Sequence, residues 1–127
     1  MEHNQLSDGE WKIMKRLWEI PYSTLIEITK SFENTTGWAK PTVHVMLKRM
    51  IAKGAVGIDS RGKYLRYYPL IGKEDMIPLE TASFLDKVYD GSVSMMISAL
   101  TEKKALSEKD IQELRDILDR AEKNLGN

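Results

Sequence analysis

Apolar residues recur at helical spacing near the start of the chain and predict an amphipathic helix. Trp11, Met14 and Trp18 would share one face of this helix, and Pro21 would end it. The residues Ser7–Glu10 (SDGE) match a capping box, in which the two end side chains bond to each other's backbone N–H groups. We therefore expect the first helix to begin directly after Ser7.

Two further helices follow with similar signals. Ser23 or Thr24 can cap the second helix, and Thr24 can form a capping box with Glu27. The third helix should begin at Pro41, because proline fits the first turn of a helix, and it should end at Lys53–Gly54. One apolar face is predicted for each helix, formed by Leu25, Ile28 and Phe32 in the second and by Val43, Met46, Leu47, Met50 and Ile51 in the third.

The periodicity then changes from helical to alternating, which predicts a β-hairpin. Apolar and other residues alternate over residues 56–58 and again over residues 65–67. The turn Ser60–Lys63 between these strands would place Arg61 and Lys63 at its tip. Three helices followed at once by a hairpin with a basic tip are typical of a winged helix-turn-helix.

The last part of the chain predicts three helices that need a partner. Its apolar residues recur at helical spacing, Gly91 ends one stripe, and Ser107 with Asp110 can cap the last helix. Pro78 is expected to delay the start of the first of these helices. Three short helices in about 55 residues bury too little surface to be stable alone, and a second copy of the chain is the simplest partner. The predicted homodimer contacts are Leu85, Tyr89, Met96, Leu100, Ile111, Leu114 and Leu118.

The resulting fold class is mostly α. A winged helix-turn-helix domain, with three helices and a β-hairpin wing, is predicted over residues 1–72, and an α-helical dimerisation domain over residues 73–127. The length of 127 residues and the apolar fraction of 42% suit this division into small domains.

The composition argues against an enzyme or a metal protein. The chain has no cysteine, and its only histidines, His3 and His44, lie far apart in the sequence. No common catalytic or nucleotide-binding motif is present. We therefore expect no enzyme activity, no metal, no cofactor and no small-molecule substrate. Without a signal peptide or a long apolar run, the sequence predicts a cytoplasmic protein.

The net charge is zero, but the charges are distributed unevenly. Eleven basic and seven acidic residues give residues 1–72 a net charge of +4, whereas eight basic and twelve acidic residues give residues 73–127 a net charge of −4. Between residues 38 and 66, seven Lys and Arg residues accompany a single acid, Asp59. Such a local excess favours nucleic-acid binding, because phosphate attraction depends on the charge of the contacting face.

The third helix carries the residues expected to read DNA. Thr42 and His44 can hydrogen-bond to base edges in a major groove, and Val45 can pack on a thymine methyl group. Lys48 and Arg49 are better placed for phosphates, and the two cations of the hairpin tip for a minor groove or flanking phosphates. A solvated helix face and an ordinary polar turn are the alternatives that the sequence leaves open. The predicted DNA-binding set is Lys40, Pro41, Thr42, His44, Val45, Lys48, Arg49, Arg61 and Lys63.

Several stretches resemble the penicillinase-repressor family. Residues 6–18 (LSDGEWKIMKRLW) are similar to the opening of that family, and residues 38–54 (WAKPTVHVMLKRMIAKG) to its recognition helix. Runs within residues 81–91 and residues 111–118 resemble its dimerisation helices. The resemblance extends from about residue 6 to residue 118, nearly the whole chain. It implies a homodimeric repressor that binds double-stranded DNA at a palindromic operator.

The resemblance also implies how repression is relieved. In the β-lactam-responsive members, a membrane sensor-protease cuts an Asn-Phe bond in the dimerisation region. The matching pair here is Ala99–Leu100, so a protease that cuts this bond would need a different sequence specificity. The copper-sensing members carry a C-terminal cysteine motif that this chain lacks. The residue before the recognition helix, usually Ser, is Ala39 here, so base preference can differ.

Two other functions remain open at this stage. A winged-helix domain can act as a protein-interaction module, or as a ligand-sensing regulator with a pocket between its domains. DNA binding that is absent or insensitive to salt would favour the first. A small molecule that shifts operator affinity without proteolysis would favour the second.

Overall fold

The computed structural model describes residues 5–126, so His3 lies outside the described residues. The chain forms two compact units, one up to Glu80 and one from Thr81 onwards. The predicted boundary between residues 72 and 73 stays a prediction. In chain order the elements are α1 (Asp8–Glu19), β1 (Ser23–Thr24), α2 (Leu25–Ser31), α3 (Lys40–Ala52), β2 (Val56–Asp59), β3 (Arg66–Pro69), α4 (Lys73–Tyr89), α5 (Val93–Glu102) and α6 (Glu108–Leu125).

The predicted capping boxes are confirmed. At the start of α1, the Ser7 hydroxyl accepts from the Glu10 N–H at 3.2 Å, and the Glu10 carboxylate accepts from the Ser7 N–H at 2.8 Å. Thr24 and Glu27 make the same pair of bonds at α2, as do Ser107 and Asp110 at α6. Each box satisfies two backbone donors that the helix itself leaves free, so these helix starts are set locally.

Helix α3 begins at Lys40, one residue before the predicted start. Pro41 fits this second position as well, because the N–H that proline lacks has no helical partner there either. At the other end, Gly54 adopts a φ of 79°, and the Ala55 N–H bonds to the Met50 carbonyl at 2.9 Å. The positive φ of Gly54 and this bond are features of a Schellman motif, which ends α3 where the sequence predicted.

The sheet has three antiparallel strands in the order β1-β3-β2, one strand more than the sequence predicted. Ser23 of β1 lies opposite Tyr67 of β3, and Tyr67 in turn lies opposite Ile58 of β2. Strand β3 begins at Arg66 rather than at the predicted residue 65, so the connection to β2 spans residues 60–65. Asp59 explains the longer loop, since its carboxylate accepts the Arg61 N–H and turns the chain directly after β2.

The first unit has one continuous apolar core. Side chains from α1, α2, α3 and the sheet bury each other, and the indole N–H of Trp18 bonds to the Ile71 carbonyl at 2.9 Å. Helix α4 adds Met76 to this core. The buried apolar residues are Leu6, Ile13, Met14, Leu17, Ile28, Val43, Met46, Leu47, Met50, Ala55, Val56, Tyr67 and Met76.

Pro78 does not delay the start of α4, contrary to the sequence expectation. The helix begins at Lys73 and contains Pro78 five residues later. Proline removes one backbone donor from the helical ladder, which is unfavourable in a helix interior. The burial of Met76, two residues before Pro78, holds this part of the helix against the core of the first unit, and we regard this packing as the compensating interaction.

The second unit contains no buried residue among residues 81–126. Its apolar side chains are half-buried or exposed, including all seven predicted dimer contacts; Leu118, for example, is 65% exposed. None of the helices within residues 5–126 is long and apolar enough to cross a membrane.

A buried ion pair joins the start of α1 to the end of α3. The Glu10 carboxylate is fully buried and accepts a bond of 2.5 Å from Lys53 Nζ, which also donates to the Gln5 carbonyl at 2.9 Å. Burial alone would raise the pKa of Glu10, but the bonds and charge of Lys53 and the bonds from Ser7 together lower it. Lys53, counted with the basic surface in the sequence, therefore has a structural role.

We expect Glu10→Gln to destabilise the first unit by about 2 kcal/mol at pH 7, because it leaves Lys53 half-buried without its partner charge. The folded-state pKa of Glu10 is lowered, so the stabilisation is present above the ordinary pKa near 4.5 and is lost as the pH falls through the folded value. Urea unfolding at pH 7 and at acidic pH measures both effects.

Glu19→Gln is the matched control, because Glu19 is exposed at the end of the same helix. The difference between the two variants should shrink as the pH is lowered. A Glu10→Gln protein as stable as the control at pH 7 would show that the pair contributes nothing.

Candidate nucleic-acid interface

Helix α3 has one buried and one exposed face, divided as the sequence predicted. Val43, Met46, Leu47 and Met50 are buried in the core. Each residue advances about 100° around a helix, so the positions between them are turned outward. The exposed side chains of α3 are Lys40, Pro41, Thr42, His44, Val45, Lys48, Arg49 and Ala52.

A shallow groove runs along this exposed face. It has a volume of about 380 Å³ and is lined by Pro41, Thr42, Val45, Met46 and Arg49. A hydroxyl, a branched apolar side chain and a guanidinium therefore lie beside one another on the surface of α3. This is the mixture of donors and apolar groups that base edges and thymine methyl groups can contact.

A larger groove separates the N-terminal half of α3 from the hairpin, and we call it the helix–wing groove. It has a volume of about 580 Å³ and is lined by residues 24–27, Lys40, His44 and residues 64–67. His44 and Lys40 of α3 line this groove together with residues 64–67 of the wing. No sequence signal could have found this proximity, because the lining segments are far apart in the chain.

The cations between residues 38 and 66 fall into two groups. Three of the seven pair with carboxylates: Lys53 with Glu10, Arg61 with Asp59 at 2.8 Å, and Arg66 with Glu27 at 3.7 Å. The others have no carboxylate within 4.0 Å in the described part of the chain and carry uncompensated charge: Lys40, Lys48, Arg49 and Lys63. The free positive surface is therefore smaller than the sequence count suggested.

The two cations of the hairpin tip differ in their surroundings. Lys63 lies over the ring of Tyr64, with Nζ 5.4 Å from the ring centre. Arg61 is held by Asp59 through both its backbone and its side chain. The hydrogen bonds from the Arg61 side chain and backbone lower the pKa of Asp59 to about 2. Only Lys63 therefore presents an unpaired charge at the tip.

Arg66 positions the wing against α2, a role that the sequence did not reveal. Its guanidinium donates to the Tyr22 carbonyl at 2.9 Å and lies near Glu27. Tyr22 has a positive φ of 61° and stacks on Tyr68 of the wing, with ring centres 5.0 Å apart. These contacts connect the short strand β1 to β3 at the edge of the helix–wing groove.

The candidate scissile pair lies within a regular helix. Ala99 and Leu100 belong to α5, where Ala99 is half-buried and Leu100 is 37% exposed. Helix α5 must open locally before its backbone can become extended, and the absence of buried residues in α5 lowers the cost of opening.

Within residues 5–126, no three His, Asp or Glu side chains are placed to hold a metal ion.

A family profile and individual relatives match this chain and agree on one family. The profile of the penicillinase repressor family matches residues 6–120. A penicillinase repressor from Bacillus licheniformis is 34% identical over 115 residues, which cover 91% of this chain and 90% of that protein. The methicillin resistance regulatory protein MecI from Staphylococcus aureus is 28% identical over 116 residues, with coverage of 91% and 94%.

Solved structures similar to the chain include two of the repressor BlaI. The solution structure of the BlaI DNA-binding domain covers 58% of this chain and 90% of that one, with 32% identity and a TM-score of 0.52. The monomeric form of Bacillus licheniformis BlaI in complex with the blaP half-operator matches with the same coverage and identity and a TM-score of 0.51.

The winged-helix fold predicted from the sequence is thus confirmed. The family profile spans almost the whole chain, and the similarity to relatives extends through both compact units. The chain therefore belongs to the penicillinase repressor family of transcriptional repressors.

Proposed function

We propose that the chain is a homodimeric repressor that binds a palindromic DNA operator through α3 and the wing. The observation that carries this proposal is the exposed face of α3, where unpaired cations flank side chains able to contact base edges. The relative BlaI, solved in complex with a half-operator, supports the same use of this domain.

Base reading and phosphate binding are assigned to different side chains. Thr42, His44 and Val45 lie near the start of α3, where a helix entering the major groove meets the bases. Lys48 and Arg49 lie one turn further along and are assigned to phosphates, as are Lys40, which lines the helix–wing groove, and Lys63 of the hairpin tip. Arg61, which is paired with Asp59, and the exposed Pro41 complete the predicted contact set.

The second unit supplies the dimer contacts. Its apolar side chains lack buried positions in the single chain, and a second copy would cover them. Two linked half-site contacts bind far more tightly than one, because the second contact forms at a high effective concentration. The half-sites would be separated by about 34 Å or a multiple of it, one turn of DNA.

Any event that opens the dimer would relieve repression without a bound ligand. Cleavage at Ala99–Leu100 by a membrane sensor-protease is the route that the family resemblance suggests, and it requires α5 to unfold locally first. The site of action would be the cytoplasm, where the operator lies.

Thr42→Ala should change sequence preference, because its hydroxyl is exposed on the groove of α3. We expect a loss of about 1–3 kcal/mol at particular base pairs and little change at others. Competition binding across a set of operator variants measures this selectivity. Equal losses for all variants, or none, would contradict a base-reading role for Thr42.

Lys48→Ala should weaken binding to every duplex and reduce the slope of log affinity against log salt by about 0.9, one phosphate contact. Lys12→Ala is the control, because Lys12 is a partly exposed residue of α1 and does not belong to the predicted contact set. Anisotropy titrations at several salt concentrations give the slopes. If both variants change the slope equally, Lys48 has no specific phosphate contact.

Leu118→Asp should produce a monomer, because it places a charge at an exposed apolar position of α6. Asn124→Asp adds the same charge at an exposed polar position of that helix and should leave the dimer intact. Sedimentation equilibrium distinguishes the two states. A dimeric Leu118→Asp protein would refute this interface.

A further inference from the structure

The wing carries an ion pair with more contacts than the other exposed pairs seen within residues 5–126. Arg61 donates from Nε to Asp59 Oδ1 at 3.0 Å and from Nη2 to Oδ2 at 2.8 Å, and its backbone N–H donates to Oδ1 at 3.0 Å. The pairs Arg66–Glu27 and Lys109–Glu113 are looser, at 3.7 and 3.9 Å. A forked contact of this kind fixes the plane and direction of the guanidinium.

The two partners differ in exposure. The Asp59 side chain is 15% exposed, whereas the Arg61 side chain is 87% exposed. The Asp59 side chain is thus largely shielded from solvent, while the Arg61 side chain is mostly open to it. Because the pKa of Asp59 is lowered to about 2, the carboxylate remains ionised at any pH at which the protein would bind DNA.

The pair changes what Arg61 can offer to DNA. Two opposite charges in contact nearly cancel at a distance, so the pair adds little to the general attraction of phosphates. A guanidinium has five N–H donors, and the Asp59 carboxylate occupies two of them. Three donors remain in a fixed direction and suit acceptors that approach closely.

This inference rests on the proposed function. We propose that Asp59 is a specificity-determining residue of the wing. By pairing with Arg61 it reduces the general attraction of this cation to phosphates, and it orients the guanidinium towards a minor groove. The preferred target is an A·T-rich flank of the operator. Such a flank has a narrow minor groove with an enhanced negative potential, which attracts an inserted arginine. Asp59 acts through Arg61 and is therefore a positioning residue.

The test compares the full chain with Asp59→Asn, which keeps the shape of the side chain and removes its charge. Anisotropy titrations use two duplexes of equal length, one selected by the unaltered protein from a random pool and one scrambled. With Arg61 released, the salt slope for the scrambled duplex should steepen by about 0.9. Affinity for that duplex should rise about eightfold near 0.1 M salt, the effect of one added phosphate contact relative to about 1 M salt, so the preference for the selected duplex falls.

Two further variants separate charge from geometry. Arg61→Lys keeps the charge but not the fork, so we expect an unchanged salt slope and a weaker preference for A·T flanks over G·C flanks. Asp59→Glu restores the negative charge and should return the slope towards the original value. Glu19→Gln removes an exposed carboxylate from α1 and should leave both the slope and the flank preference unchanged.

The outcomes distinguish this inference from the proposed function. If the unaltered protein shows no salt-dependent binding to any duplex, the proposed function itself fails. If it binds as proposed, but Asp59→Asn retains its slope and preference, or binds both duplexes more weakly, the role of Asp59 is overturned. Should Asp59→Asn unfold at a lower temperature in circular dichroism, Asp59→Ser provides the same charge change, and the same criteria apply to it.

Discussion

The burial of one face of α3 is the constraint on which the rest of the first unit depends. Val43 and Leu47 lie one turn apart in the core, and Met46 and Met50 flank them. With four positions committed to the interior, the helical repeat leaves no freedom in which residues face outward. The pair Glu10–Lys53 and the Schellman motif then hold the C-terminal end of α3. Core packing therefore determines which side chains of α3 are exposed and available to bind DNA.

The sequence predicted features whose partners are close together in the chain, and missed those whose partners are distant. Each capping box lies within three residues, so its side chains could be recognised directly. Strand β1 has only two residues and carries no alternation. The bond from Lys53 to Glu10 spans 43 residues, and the bond from Arg66 to the Tyr22 carbonyl spans 44 residues. No local sequence pattern could therefore predict either bond. For the candidate site, the exposed set on α3 followed from periodicity, but which cations are free did not.

The division of cations into paired and free groups matters for how a repressor finds its site. Competing genomic DNA is in vast excess, so each unpaired cation strengthens binding to wrong sites as well as to the operator. Internal carboxylates limit that effect: Glu10 and Asp59 each neutralise a cation that a count along the chain assigns to the DNA surface. Lower general attraction leaves a larger share of the binding energy to contacts that depend on sequence.

The stability of the second unit also depends on which of its side chains are buried. A helical segment without buried side chains gains little from the hydrophobic effect to offset the entropy of ordering its backbone. Its exposed apolar residues, such as Phe84 and Leu118, become stabilising only when another surface covers them. In the proposed dimer, folding of α5 and α6 is therefore coupled to association. Because each half-site is strengthened by its linkage to the other, damage to any one of these helices would lower dimer stability and operator affinity together.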